Sequence, residues 1–159
     1  MVNGVFFAWG EMKKVGCMNA TLEKFGDPET RLKLFDKWVV LVRPQQVTLG
    51  SLVLVSQEKA SAFSELSREA FLELQTVTRY VEQRLAEVFS YDKINYLMLM
   101  MVDPDVHFHV FPRYASPRFF AGQQFFDHGW PGPPALKEIN GTSLHVNQEL
   151  MDSLRMAKE

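Results

Sequence analysis

One cysteine, Cys17, in 159 residues leaves no partner for an intramolecular disulfide and no thiolate cage for zinc. That usage suits a reducing compartment, and the expectation is a cytoplasmic protein. Long hydrophobic runs are missing too: nothing approaches the roughly 18–20 residues of a membrane span. The apolar opening Val5-Phe6-Phe7-Ala8-Trp9 is followed, not preceded, by Lys13 and Lys14, the reverse of a signal peptide. Charge of one sign is scarce, with 17 Lys and Arg against 19 Asp and Glu. No global positive field therefore draws the chain to a nucleic-acid polymer or an acidic bilayer. Any anion must be held by local groups. Internal repeats and low-complexity segments are absent.

What is present is an ordinary globular composition, 47% hydrophobic and 23% charged, in a length that suits one domain with a sizeable core. Met18 opens a more conventional segment, so residues 1–17 read as an extension or an upstream start. Asp27-Pro28-Glu29-Thr30 has the form of a helix start leading through Leu32 and Leu34. Lys37–Arg43 is an apolar, β-branched run of strand length, broken by Pro44-Gln45-Gln46. After the Leu49-Gly50-Ser51 turn, Leu52–Val55 forms its antiparallel partner. Ser64 or Ser67 caps a long amphipathic helix whose apolar stripe is Phe71, Leu74, Val77, Val81, Leu85 and Val88. Asn95–Val102 reads as a strand with Met98, Met100 and Met101 as packing. Asp103-Pro104 turns the chain into a strand over Asp105–Phe111. The aromatic, Gly- and Pro-rich stretch from Tyr114 to Leu136 reads as an ordered loop wrapped over the domain, and Val146–Met156 as a terminal helix.

Two of the four histidines lie in one run, Asp105-Val106-His107-Phe108-His109-Val110-Phe111-Pro112-Arg113. Alternation along a strand puts Asp105, His107 and His109 on one face and Val106, Phe108 and Val110 on the other. Three readings of that wall stand side by side. The histidines are hydrogen-bonded structural groups; or, with Asp105, they are ligands for zinc or non-haem iron; or an imidazole is a nucleophile toward phosphorus, with its neighbour handling phosphate oxygens or a proton. Against the metal, no third ligand follows at a recognisable spacing, and His128 and His145 are remote. His128 sits in a loop of the kind that is solvated. Downstream, Arg113 and Arg118 can neutralise phosphate, while Phe119 and Phe120 read as sealing a sheet edge or a contact between copies.

The run resembles the signature of the histidine triad superfamily, His-φ-His-φ-His-φ-φ with φ apolar. It is closest to the fragile-histidine-triad and diadenosine polyphosphate hydrolase branch, whose signature ends in Pro-Arg. The surrounding order agrees over roughly Trp38 to Tyr114: strand, a turn at Leu49-Gly50-Ser51, strand, long helix, Asn-bearing strand, signature. The resemblance implies an α+β fold, an antiparallel sheet with a long helix, and a homodimer. It places a histidine-triad-like domain over residues 18–114, with residues 115–159 as its wrapping loop and terminal helix. It also implies purine nucleotide or dinucleoside polyphosphate binding, and hydrolysis or transfer through a nucleotidyl-histidine, with no metal or other cofactor. His107 takes the nucleophile's place and His109 that of the phosphate-orienting histidine, with Asn95 matching an Asn on the neighbouring strand.

The departures are equally specific. Asp105 stands where the first histidine of the triad belongs, either repelling phosphate unless paired with Arg43 or Arg113, or orienting His107. Met100-Met101-Val102-Asp103-Pro104 replaces a longer Gly-rich loop with a Gln or Ser. Ser51 replaces a histidine in the turn, and Arg43 replaces a nucleotide-contacting Asn. These changes leave two expectations: a divergent hydrolase whose phosphate grip is rebuilt on Arg43, Arg118 or the late loop, and a nucleotide binder with little or no turnover.

Overall fold

Nothing polar interrupts the runs at 38–42 and 52–55, so strands built from them must be covered on both faces. In the computed structural model, which describes residues 19–156, both lie at the heart of a sheet. Strand β2 (Trp38–Val42) and strand β3 (Leu52–Ser56) are buried at every position and pair antiparallel, with Val40 opposite Leu54. The connection is tied by the buried Gln46, whose Oε1 accepts from the backbone N–H of Gly50 (2.9 Å) and Ser51 (3.0 Å). Its amide donates back to the Arg43 carbonyl at 2.6 Å. Gly50 has φ +81°, a left-handed backbone suited to glycine, and a Cβ there would lie 2.8 Å from the Phe89 ring. The expected extension, residues 1–17, lies outside the described residues.

Strands β1 (Arg31–Leu34), β4 (Lys93–Leu97) and β5 (His107–Arg113) complete an all-antiparallel sheet of order β1-β2-β3-β5-β4. One face is covered by helix α2 (Arg68–Phe89). Ser67 caps it, its Oγ accepting from the Ala70 N–H at 3.1 Å. Glu58 in turn accepts from the Ser67 hydroxyl and N–H, and these bonds hold its carboxyl at about 2. Ala70, Val77, Val81, Leu85 and Phe89 are buried against Val40, Val42, Leu52, Leu54, Val106 and Val110. Of the expected stripe, Val77, Val81 and Leu85 are buried and Leu74 and Val88 pack at its margin, so only Phe71 departs from it. Ala70 faces the sheet so that the Trp38 indole can donate to its carbonyl at 2.9 Å, and Phe71 is left 41% exposed.

Three expectations fail locally. Residues 27–34 form no helix: Asp27 pairs with Arg31 through two 2.6 Å bonds across a turn, and Leu32 and Leu34 enter β1, paired against β2. The helix lies earlier, as α1 (Ala20–Lys24), with Asn19 Oδ1 capping Thr21 and Leu22, both at 3.1 Å. Strand β4 ends at Leu97, and Met100 (φ +49°) turns the chain off the sheet, so Leu99–Val102 is loop. The wrapping segment contains a hairpin, β6 (Arg118–Phe120) with β7 (Gln123–Phe125), whose turn residues Ala121 and Gly122 both have positive φ. Phe120 meets Phe89 edge-on at 5.5 Å, and Phe119 faces outward.

Helix α3 (Leu144–Met156) returns to α2 and β1, burying Val146, Leu150, Met151 and Leu154. No helix among the described residues is long and apolar enough to cross a membrane. The opposite sheet face carries a second, smaller core of Val39, Leu41, Val53 and Val55 under Phe25, which directly follows α1.

Candidate active site

The register of β5 on β3 decides what shares that second face. His107 is opposite Val55 and His109 opposite Val53, so both imidazoles stand beside the smaller core. Their ring centroids are 5.1 Å apart, nearly perpendicular. Phe25 reaches over both, 6.2 Å from His107 and 5.6 Å from His109, and Phe111 stacks on His109 at 6.1 Å.

His107 Nδ1 lies 2.7 Å from the Asp105 carbonyl oxygen. A carbonyl only accepts, so Nδ1 carries the proton, and in the neutral ring Nε2 keeps its lone pair. His109 Nδ1 is buried with no partner among the described residues. Burial, then the neighbouring His107 and Arg43, push the His109 pKa down to about 4, so this ring is neutral at pH 7.

Both histidines open on a cavity of about 450 Å³. Its other charged walls are Arg43, Lys24 and Asp103; its apolar walls are Phe25, Pro44 and the loop Leu99–Val102. Arg43 donates through Nη1 to the Gln45 carbonyl, while its Nε is buried without a partner among the described residues, and burial lowers its pKa. Lys24 Nζ is fastened to both Asp103 oxygens, at 2.7 and 2.9 Å.

The remaining expected site residues lie elsewhere. Asp105 precedes β5, so strand alternation does not extend to it. Its carboxylate accepts from Thr21 Oγ1 at 2.8 Å and Thr21 N at 3.2 Å, tying α1 down rather than facing the imidazoles. Asp105 serves the site through its carbonyl. The Ser51 hydroxyl is buried in the turn, donating to the Thr48 carbonyl at 2.7 Å. Arg113 grips Asp127 through two bonds, 2.7 and 3.0 Å, and also reaches Asn95 Oδ1 (2.6 Å) and the Gly132 carbonyl (2.9 Å). Asn95 and Arg113 therefore anchor the wrap and line a separate crevice beside Trp130. Arg118 lies over the Tyr114 ring and bonds Ser116. His128 faces Glu138 at 3.5 Å.

Among the described residues, no three of His, Cys, Asp and Glu are placed to hold a metal ion. The ligand set Asp105, His107 and His109 is not assembled, because the carboxylate is committed to Thr21. Sequence reasoning missed Lys24 and Phe25 outright, and had residues 100–103 only as the replacement of a Gly-rich loop, not as walls of this cavity. Only the loop had a signal, in its adjoining apolar run and turn. Met101, read as packing, is 86% exposed on the cavity's rim.

No protein-family model and no curated protein matches the chain. Solved structures do. A histidine triad protein of Sinorhizobium meliloti 1021 superposes with TM-score 0.68 at 19% identity, over 86% of this chain and 93% of that one. A histidine triad protein of Marinobacter aquaeolei VT8 gives 0.64 at 22%, over 79% and 85%. The diadenosine triphosphate hydrolase of Plasmodium falciparum gives 0.56 at 11%, over 81% and 76%. The fold, a mixed α and β arrangement on a five-stranded antiparallel sheet, is that of the histidine triad proteins.

Proposed function

We propose that this protein binds a nucleotide in the cavity beneath α1 and cleaves a phosphoanhydride or related bond at its phosphorus, with His107 as nucleophile. The observation that carries this is the hydrogen bond from His107 Nδ1–H to the Asp105 carbonyl, which leaves Nε2 as the ring's lone-pair donor. Nε2 attacks phosphorus, a P–N bond forms, and the leaving group departs with its electron pair and takes a proton from water. Water then attacks phosphorus, giving a proton to the hydroxide left by the first step, the P–N bond breaks with its pair returning to Nε2, and a nucleoside monophosphate is released. Neutral His109 contacts the phosphoryl oxygens, and Arg43 supplies positive charge beside them. The solved relative that hydrolyses diadenosine triphosphate supports the substrate class by analogy of fold. A homodimer belongs to the same reading, and among the described residues the sheet ends on β1 and β4, two edges open to a second copy.

The test is turnover of nucleoside phosphoramidates and dinucleoside polyphosphates by metal-free wild type and His107→Ala. Wild type releases nucleotide and forms an acid-quenched adduct on His107 visible by mass spectrometry. The variant loses about a thousandfold or more in rate. Equal rates in the two proteins exclude His107 as nucleophile. Binding without release by wild type favours the non-catalytic alternative, which the lack of polar side chains over Leu99–Val102 supports.

A further inference from the structure

We infer that Asp103 determines specificity by setting the cavity's charge, so that among the bonds proposed above the site favours a singly charged phosphoryl group bearing an apolar substituent over a polyphosphate chain. This rests on the cavity being a nucleotide site. Three ionised side chains line it besides the imidazoles: Lys24, Arg43 and Asp103. Lys24 is held by both oxygens of Asp103, whose side chain is only 14% exposed. The ammonium is neutralised where a phosphate chain would need it, which leaves Arg43 as the one cation without a carboxylate partner among those walls. His109 is neutral, as shown above.

A phosphodiester or phosphoramidate carries about one negative charge, which Arg43 matches. In a dinucleoside polyphosphate each phosphorus adds about one more. Those further charges would be desolvated beside the Asp103 carboxylate, and uncompensated charge in a partly dry cavity is costly. The rest of the cavity agrees. Leu99, Met100, Met101 and Val102 form four consecutive apolar walls, with Met101 86% and Val102 82% exposed. Their side chains offer no charge and no strong donor, and a ligand's apolar group would remove them from water.

The experiment measures dissociation constants by calorimetry at low salt on the full chain, with every protein, the wild-type reference included, carrying His107→Ala so that no probe is turned over. The probes are diadenosine triphosphate and an aryl-amine phosphoramidate of adenosine 5′-monophosphate, with guanosine counterparts. Wild type prefers the phosphoramidate at least about tenfold. Asp103→Asn frees Lys24 and tightens the triphosphate probe about tenfold while moving the phosphoramidate little. Lys24→Met, which leaves the carboxylate alone, weakens the triphosphate probe further. Structural damage would move both variants the same way, so opposite signs identify a charge effect. Tighter triphosphate binding by wild type, or the same response in both variants, overturns the inference and leaves the nucleophile intact. Failure of wild type to bind any probe overturns the nucleotide reading as well.

Discussion

Residue 105 does two jobs with two groups. Its carbonyl fixes the His107 tautomer, and its carboxylate holds Thr21. Only the first bears on the proposed attack by His107, and it uses a backbone atom, so the proposal expects the side chain to be dispensable for turnover. Asp105→Asn is expected to lower stability by about 1 kcal/mol through the weakened bond to Thr21, with nucleotide release within about threefold of wild type. Urea unfolding and initial rates measure the two. His109 carries a pH signature. Its folded pKa is near 4, below the 6.5 of the free side chain, so the unfolded chain binds the proton more readily. Its contribution to stability is present above pH 6.5 and is lost as pH falls toward 4, to an extent of about 3 kcal/mol. Unfolding free energies across that range should fall in wild type and fall less in His109→Gln. Alternation along β5 made His107 and His109 legible from sequence as one wall. It misled at Asp105 because the strand starts two residues later, a matter of register no local pattern encodes.

At the scale of elements, the clamp between β5 and the wrapping segment is the sharpest target. Arg113 and Asp127 are nearly fully buried and doubly bonded, so Asp127→Ala strands a guanidinium without its partner. A loss of about 3–5 kcal/mol is expected, read as a lowered melting temperature, with the tail becoming protease-sensitive. Gly50→Ala should also destabilise, because both the left-handed backbone and the Phe89 ring oppose a Cβ. The long helix and the pair β2–β3 were readable because burial on known faces imposes a period on the sequence. Residues 27–34 were not. Asp-Pro looks the same at a helix start and in a turn, and pairing with β2 overrides the local preference. The tail hairpin was hidden for a similar reason, since its turn is Ala121-Gly122 and only Gly122 advertises positive φ.

Seen whole, the sheet separates two tasks. One face, under α2 and α3, carries most of the apolar burial. The other combines a small core with the histidines, so the candidate site and part of the fold's support share Phe25, Val53 and Val55. The order and type of the elements were legible from β2 to β5 and in α3, where patterning sets them, but not at α1, β1 or the tail hairpin. The cavity was less so, because Lys24, Phe25 and Asp103 meet only after the chain returns from opposite sides of the sheet. Helix α1 has five residues, far fewer than a helix needs to persist alone. Its order is lent by Asp105, Asp103 and the imidazoles beneath Phe25. The segment therefore behaves as a reporter: an amide signal from Thr21 would register, without any substrate, whether the machinery below is assembled.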